Sequence, residues 1–558
     1  MYTHAQQQKH IRLALSALLF VFTLAAGAQP AVVKKAAKSV FTLTTFKADG
    51  SLLESGRGVF VGNDGEAISN LKPFIGASKA VVVDANGQKM EVSRIIGLND
   101  IYDVARFRVN GHTTPLPIAN VGATAGQDAW LVTYGTKAAE IKAAKVKSVE
   151  KFMDKYNFYI FSMNAPGNAA GCPFINMYGQ VIGLMQISNT GLDTHACDAA
   201  YARSLSADGF SLNDATFRQI NIPIAMPANE TQARLMLMMA GQSNDSLKYH
   251  AAIDDFIRQF PTAADGYNAR ALSAAAGGQW SLAEQAMQEG IKRAAAKDEA
   301  HYNYARMMYD HATAGRHWTL DQAYAEAEAA YKAEKQPIYK HLQAQIIFAK
   351  GDYAGALDIF RQLEKDNSLN PGELIYEQAQ CKRNLNASSD EVIALLDSAI
   401  NITDTMRIIE AAPYFLSRAE VLDGTGKYRD AVFDYTRYEY LMQGRVGAPF
   451  YYTRARAEQN GKLYQQAIND MARAIIINPR EPLYYAELAN MQLRVNQFDK
   501  AQTTAERCIE VAPEYADGYL LLGLAQIQQK HKAEGLSNLE KAKTLGNEQA
   551  QALINKYK

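Results

Sequence analysis

Positions 451–467 of the chain read YYTRARAEQNGKLYQQA, and positions 485–501 read YAELANMQLRVNQFDKA. The two stretches begin 34 positions apart and share one pattern: an aromatic residue opens each, alanine follows four positions later, and an aromatic–alanine pair closes it. A pattern that returns at a fixed spacing is typical of a structural unit that repeats along the chain. The C-terminal part of the chain is therefore predicted to be a repeat array.

The closing pair recurs through the second half of the chain, at Trp280/Ala283, Tyr353/Ala356, Tyr428/Ala431, Tyr464/Ala467 and Phe498/Ala501. Nine positions before each pair stands a small residue: Ala271, Ala344, Ala419, Ala455 or Ala489. Small residues allow two helices to approach closely, and aromatic residues fill the space to the next unit. Each unit is interpreted as a helix hairpin, with turns predicted at Gly278, Gly351 and Gly426.

This unit resembles the tetratricopeptide repeat (TPR). The resemblance implies an all-α TPR solenoid over residues 226–558, with about nine helix hairpins and a capping helix that ends near Lys558. Solenoids of this kind contact partner proteins with first-helix residues on a concave surface. The candidate contact residues are Tyr452, Arg454 and Arg456, in the first helix of a well-matched hairpin. The alternative, a merely solvated helix face, stays open.

Residues 36–190 consist instead of short runs rich in β-branched and aromatic residues, separated by Gly, Asn and Asp. Strands are predicted at Ser39–Phe46, Gly58–Val61, Ala80–Asp84, Asp103–Val109, Trp130–Tyr134, Phe158–Met163 and Val181–Ile187. Hairpin turns are predicted at Asn63-Asp64-Gly65 and Asn86-Gly87. Many short strands with frequent turns indicate an all-β sandwich or barrel. The change to helices is predicted at Pro223–Asn229, where two prolines interrupt regular structure.

Four segments of this β-rich region occur in a recognisable order. They are SGRGVF (55–60), AISNLK (67–72), GLNDIYDVA (97–105) and PGNAAGCPF (166–174). Together they resemble the trypsin-like serine peptidases of the HtrA type. The resemblance implies a trypsin-like double β-barrel over residues 29–225.

The resemblance also places the three positions of the catalytic triad. Lys72 stands where the family has histidine, Asp103 holds the acidic position, and Ala170 holds the nucleophile position, or Ala169 if the loop is aligned on Gly167-Asn168. Acyl transfer by this mechanism needs a hydroxyl activated by an imidazole, and alanine supplies no nucleophile. We therefore expect a pseudoprotease, in which a Lys72–Asp103 ion pair replaces the His–Asp hydrogen bond.

The cysteines leave three interpretations open. Cys172 lies two positions beyond the expected nucleophile, and its thiol is the candidate nucleophile of an atypical peptidase. A disulfide between Cys172 and Cys197 is compatible with export. Buried free thiols are the third interpretation.

The composition excludes several classes of function. Lys+Arg and Asp+Glu are equal at 58 each, which gives no electrostatic basis for binding nucleic acid. The sequence has no HExxH motif, CxxC pair or calcium-binding loop, so neither a metal site nor a cofactor is predicted. Lys9 and Arg12 precede an apolar run and small residues, a pattern typical of a cleaved signal peptide over residues 1–28 with cleavage near Ala28/Gln29. A periplasmic or secreted location is expected, with no membrane span after cleavage.

These features predict an exported, non-enzymatic scaffold of the bacterial envelope that binds other envelope proteins or extended peptides through its TPR domain. Two alternatives stay open. The first is a trypsin-like endopeptidase that uses atypical residues. The second is a regulator or inhibitor of an active envelope protease.

Overall fold

The structure, a computed structural model, describes residues 31–134, 139–187, 193–243, 245–315, 317–366, 368–403 and 405–558. The predicted signal peptide at residues 1–28 lies outside these ranges. The chain divides into two compact units, residues 1–296 and residues 297–558. Within the described ranges, every helix is too short or too polar to cross a membrane.

The first unit begins with a short helix, α1 (Ala31–Ala36), and a closed antiparallel β-barrel of six strands. The strands are β1 (Val40–Phe46), β2 (Leu52–Phe60), β3 (Glu66–Ser69), β4 (Lys79–Val83), β5 (Lys89–Asn99) and β6 (Val104–Val109). They follow the order β1-β2-β3-β6-β5-β4 around the barrel. The predicted hairpin turns join β2 to β3 and β4 to β5, and Gly65 and Gly87 have the positive φ that such turns require.

A second closed barrel repeats this arrangement. Its strands are β7 (Asp128–Tyr134), β8 (Ala139–Phe152), β9 (Tyr156–Phe161), β10 (Pro173–Ile175), β11 (Val181–Gln186) and β12 (Thr194–Asp198). Their order, β7-β8-β9-β12-β11-β10, is that of the first barrel. A short helix, α2 (Ala199–Ser204), follows β12. The repeated order gives the two barrels the same topology.

Each barrel encloses an aromatic core. The rings of Phe41 and Phe60 lie 4.6 Å apart in the first barrel, and those of Phe161 and Phe174 stack at 3.7 Å in the second. A third cluster packs the two barrels against each other, with contributions from Val59, Ile68, Val104, Val132, Ile175 and Val181. Burial of these apolar side chains is the main stabilising contribution to the paired barrels.

Four helices complete the first unit: α3 (Glu230–Gly241), α4 (Ser246–Gln259), α5 (Ala264–Ala276) and α6 (Trp280–Arg293). The side chain of Asn229 caps α3 by accepting a hydrogen bond from a backbone N–H of its first turn. Met236 of α3 joins the core of the first barrel. Arg94 of β5 donates to both carboxylate oxygens of Asp255 in α4, at 3.0 and 3.1 Å. These contacts explain why the compact unit extends beyond the barrels to Ala296.

The second unit is helical throughout its described residues. Its helices are α7 (Lys297–Thr313), α8 (Leu320–Ala333), α9 (Pro337–Ala349), α10 (Tyr353–Leu363), α11 (Pro371–Asn384), α12 (Ser389–Ile402), α13 (Ala412–Gly424), α14 (Tyr428–Leu441), α15 (Ala448–Asn460), α16 (Tyr464–Ile477), α17 (Pro482–Arg494), α18 (Phe498–Val511), α19 (Ala516–Gln528), α20 (Lys532–Thr544) and α21 (Ala550–Tyr557). Consecutive helices pack in pairs from α7/α8 to α19/α20, and α21 packs on α20. This arrangement is a solenoid of helix hairpins closed by a last helix.

The repeat pattern coincides with this architecture. The aromatic residues of the closing pairs are the first residues of second helices: Trp280, Tyr353, Tyr428, Tyr464 and Phe498. Their paired alanines, and the small residues nine positions earlier, are all 0% exposed. Gly278, Gly351 and Gly426 have positive φ in the predicted turns. The predicted close packing of small residues between paired helices is therefore confirmed.

Candidate functional site

Asp103 lies between β5 and β6, beside the segment that follows β3. Its Oδ1 accepts hydrogen bonds from the backbone N–H groups of Leu71 at 3.0 Å and Lys72 at 2.8 Å. Burial raises the pKa of Asp103, and these hydrogen bonds act in the opposite direction. Asp103, which the resemblance implies would orient a catalytic base, thus accepts hydrogen bonds from two backbone N–H groups.

The predicted ion pair between Lys72 and Asp103 is wrong. The Lys72 side chain is 64% exposed, and its Nζ lies 4.0 Å from Oε1 of Glu54 in β2. An exposed ammonium keeps its hydration, whereas burial beside Asp103 would carry a desolvation cost. The backbone N–H of Lys72 donates to Asp103, and the Lys72 charge acts on the pKa of Asp103 only as a weaker, lowering effect behind burial and hydrogen bonds.

The loop that resembles the nucleophile loop contains a short 3₁₀ turn at Gly167–Ala169. Ala169 and Ala170 are 2% and 8% exposed. Serine peptidases use backbone N–H groups of this loop to stabilise the oxyanion intermediate. Here four consecutive N–H groups donate to protein carbonyls at 2.8–3.2 Å, those of Ala169, Ala170, Gly171 and Cys172. These four donors are therefore occupied.

The loop lies directly against the first barrel. Gly171 has φ 80°, and a Cβ atom at this position would lie 2.2 Å from the carbonyl oxygen of Arg57 and 2.8 Å from Oδ1 of Asn70. Gln186 of β11 also donates a hydrogen bond to the carbonyl of Tyr102, next to Asp103. The structure thus places the implied triad positions on facing segments of the two barrels.

The cysteines of this region are free thiols. Cys172 lies in the core of the second barrel and Cys197 in the cluster between the barrels. Burial raises the pKa of Cys172 to about 12, against an opposing effect of Arg57. Burial also raises the pKa of Cys197. The candidate disulfide is absent, because the two residues belong to different packing clusters, and an enclosed neutral thiol is a poor nucleophile.

Two of the three candidate contact residues in the helical unit lie at its surface. Arg456 is exposed, with its guanidinium carbon 5.9 Å from the centroid of the Tyr452 ring. Together with Asp423, these residues line a cavity of about 140 Å³. The ring of Tyr452 also lies 5.6 Å from that of Tyr484 in the next hairpin. This cavity is the candidate binding site of α15.

The prediction of Arg454 as a contact residue is wrong. Arg454 is 3% exposed. It donates to both carboxylate oxygens of Asp470 in α16, at 2.6 and 3.1 Å, and to Glu439 in α14, at 2.7 Å. The side chain faces the neighbouring helices because position 454 is on the packed side of α15. Arg454 therefore joins three helices and has a structural role.

Polar side chains connect the first helices of successive hairpins. Gln380 of α11 donates to Oγ of Ser417 in α13 at 2.8 Å, and Arg383 donates to Glu420 at 2.8 Å. We call the residues that form such contacts between first helices the first-helix row. They are Arg306, His341, Gln345, Tyr376, Glu377, Gln380, Arg383, Tyr414, Ser417, Glu420, Tyr452 and Tyr484. Within the row, His341, Tyr414, Ser417 and Tyr484 are buried, whereas Arg383 and Glu420 are exposed.

One cluster in the first-helix row was missed from the sequence. His341 of α9 lies beside Glu373 and Glu377 of α11, with ligand atoms of all three within 4.8 Å of one another. Burial is the largest single effect and lowers the pKa of His341. The hydrogen bond and charge of Glu377 together outweigh it, so the pKa is raised. The i, i+4 spacing of the two glutamates was a visible signal, but His341 lies 32 positions before Glu373.

Comparison with known proteins gives partial similarities. No model of a known protein family matches the chain. One curated relative is the small glutamine-rich tetratricopeptide repeat-containing protein 2 of Saccharomyces cerevisiae, 32% identical over 97 residues. The match covers 17% of this chain and 28% of the relative. The chain thus spans just over a quarter of that relative's length.

Solved structures of proteases are similar to part of the chain. The active form of the Rv3671c protease from M. tuberculosis has 17% identity and a TM-score of 0.28, over 32% of this chain and 82% of that chain. A serine endoprotease from Yersinia pestis has 17% identity and a TM-score of 0.29, over 32% of this chain and 65% of that chain. The fold class defined by the strand order and the helix pairs is a double β-barrel followed by an all-α solenoid, as predicted.

Proposed function

We propose that this chain is an exported, non-enzymatic scaffold of the bacterial envelope. In this proposal, the double β-barrel is a pseudoprotease domain and the TPR-like solenoid binds envelope proteins or extended peptides. Export rests on the pattern of the first 28 residues.

The geometry of the loop at 166–172 carries the non-enzymatic part of the proposal. Both possible nucleophile positions are alanine, and four backbone N–H groups of the loop are bonded to protein carbonyls. The other candidate nucleophile, Cys172, is fully buried. Hydrolysis would require a nucleophile, a base and oxyanion donors at one place; the alanines and the bonded N–H groups of Ala169 and Ala170 support the proposal that this loop does not catalyse it.

The cavity at Tyr452, beside the first-helix row, carries the binding part of the proposal. Solenoids present first-helix residues on an extended surface that suits an extended polypeptide. Tyr452 offers an aromatic face, Arg456 a positive charge and Asp423 a carboxylate at one cavity. Aromatic residues and arginine are enriched among the residues that contribute most to protein–protein affinity.

Capture of envelope proteins by the full-length chain tests the proposal. We expect a Tyr452→Ala/Arg456→Ala variant to retain at most about a tenth of the capture by the unmodified chain, which corresponds to the loss of one contact of about 1.4 kcal/mol. Captured proteins are quantified by mass spectrometry after crosslinking, and helical circular dichroism verifies folding.

The matched control is Tyr440→Ala on the second helix α14. Tyr440 is 72% exposed and lies outside the first-helix row, so its replacement is expected to leave capture unchanged. Loss of capture in the control together with normal capture by the double variant would assign binding to the second helices. Equal capture by all three proteins would contradict a role of this cavity.

A further inference from the structure

The side chains of His341, Glu373 and Glu377 form a compact group within the second unit. Nε2 of His341 lies 2.6 Å from Oε2 of Glu377, and one ligand atom from each residue lies within 4.8 Å of the other two. Glu373 and Glu377 are one turn apart on α11, while His341 belongs to α9, the first helix of the preceding hairpin. The group therefore spans two consecutive hairpins.

Two members of the group are held in place by their surroundings. The side chains of His341 and Glu377 are only 7% and 14% exposed. Nε2 of Gln345 donates to Oε1 of Glu377 at 2.8 Å, which leaves Oε2 directed at His341. A hydrogen bond to the second oxygen of a carboxylate is the arrangement that orients metal-ligating carboxylates in proteins.

Glu373 is the member of the group without a direct partner of its own. Among the described residues, its carboxylate forms no salt bridge and no side-chain hydrogen bond. The charges of Glu377 and Glu410 add negative potential around it, and those of His341 and Arg306 add positive potential. The guanidinium of Arg306 donates to Gln345 at 3.4 Å. Glu373 is exposed, whereas His341 is buried and Glu377 is half-buried, so the group reaches the surface through Glu373.

We propose that His341, Glu373 and Glu377 bind a divalent first-row transition cation such as Zn²⁺. One imidazole nitrogen and two carboxylate oxygens form a three-residue ligand set with room for a water or a partner group in the fourth position. Tetrahedral coordination separates ligand atoms by about 3.4 Å, so the exposed Glu373 side chain closes onto the site. The cation takes the place of the proton between His341 and Glu377 and cross-links two hairpins. This inference is independent of the proposed binding function.

Zinc titration of the chelator-treated, full-length chain tests this inference. We expect isothermal titration calorimetry to give one Zn²⁺ per chain at this site, and Zn²⁺ to raise the midpoint of thermal unfolding of the helical signal. His341→Ala and Glu373→Gln are each expected to weaken binding at least about tenfold. Glu373→Gln changes an exposed side chain, so it preserves the fold and keeps the test valid if His341→Ala is unstable.

The matched control is His301→Ala. Nδ1 of His301 lies 2.6 Å from Oε2 of Glu326, which is the same kind of pair without a second glutamate, so this variant is expected to bind Zn²⁺ like the unmodified chain. The proposal is overturned if the unmodified chain binds no Zn²⁺, if Glu373→Gln binds as tightly as the unmodified chain, or if His301→Ala weakens binding to the same extent.

Discussion

Asp103 is held by hydrogen bonds in the turn between β5 and β6. Its carboxylate accepts two backbone N–H groups, and the residue adopts φ 44° in the turn before β6. Aspartate tolerates this left-handed conformation better than most residues. These hydrogen bonds and the backbone conformation give Asp103 a structural role in this turn.

The hydrogen bonds of Asp103 predict little energetic coupling to the Lys72 side chain. Asp103→Ala leaves the amides of Leu71 and Lys72 without their acceptor and is expected to cost about 1–3 kcal/mol. Lys72→Met is expected to change stability by less than about 0.5 kcal/mol, because the ammonium is solvent-exposed. A double-mutant cycle measured by urea unfolding is expected to be additive within about 0.5 kcal/mol. A coupling energy above about 1 kcal/mol would contradict this and show that the side chains of Lys72 and Asp103 form an ion pair.

Gly171 predicts a second effect at the scale of one residue. A side chain at Gly171 would meet the backbone oxygen of Arg57 at 2.2 Å and would be strained at φ 80°. We expect Gly171→Ala to destabilise the chain by about 1–3 kcal/mol. Gly167→Ala is the control, because a Cβ there has no neighbour within 4 Å. Equal urea midpoints for the two variants would mean that the loop does not contact the first barrel in this way.

At the scale of elements, strands and helices differed in how well the sequence predicted them. The aromatic residues of the closing pairs mark the first residues of second helices. They could be found in the sequence because each second helix packs against the first helix of its own hairpin, which is close in sequence. The strand β8 escaped prediction because only two of its positions, Ala144 and Val146, are buried, so the apolar alternation that marks a strand is short. The strand β10 has only three residues, too few for a periodic pattern. Such strands are fixed by pairing partners that are distant in sequence.

The contacts of α15 with its neighbours predict very different losses of stability when two arginines of that helix are replaced. Arg454→Met removes the two short hydrogen bonds to the buried carboxylate of Asp470 and leaves it only the exposed Arg473 at 3.5 Å, at an expected cost of about 3–5 kcal/mol. Arg456→Met changes an exposed residue two positions away and is expected to cost less than about 0.5 kcal/mol. The comparison is made by urea unfolding followed through the helical signal. A similar loss in both variants would contradict the assignment of Arg454 to helix packing.

Glu458 of α15 predicts a pH dependence of the solenoid. It is 4% exposed, its Oε2 has no hydrogen-bond partner among the described residues, and burial together with the charge of Asp470 raises its pKa to about 8. Between about pH 4.5 and pH 8 the unfolded chain releases this proton while the folded chain retains it. The contribution of Glu458 to stability is therefore complete below this range and is lost as the pH rises through it.

Glu458→Gln removes this titration. The midpoint of urea unfolding for the variant, relative to the unmodified chain, is expected to rise between pH 5 and pH 8 and to level off above that range. The measurement follows helical circular dichroism at fixed ionic strength. A difference that is independent of pH would show that Glu458 titrates near its ordinary value.

At the scale of the whole molecule, the sequence predicted the fold class of each part, because fold class depends on ordered motifs and on repeats. It did not predict the direction of the Lys72 side chain, which depends on Glu54 in another strand. It also did not predict the group at His341, because α9 and α11 bring together residues 32 or more positions apart. Contacts between elements require the packing that only the fold defines.

Hydrolysis of casein by the purified full-length chain, with trypsin as the positive control, tests the central claim most directly. We expect no peptide release above the buffer background, and no labelling by a fluorophosphonate probe, because neither candidate nucleophile position carries a hydroxyl and the N–H groups of Ala169 and Ala170 are bonded to protein carbonyls. Release of peptides that is retained through purification and abolished by Cys172→Ala or Asp103→Asn would contradict it and assign an atypical peptidase activity to the double barrel.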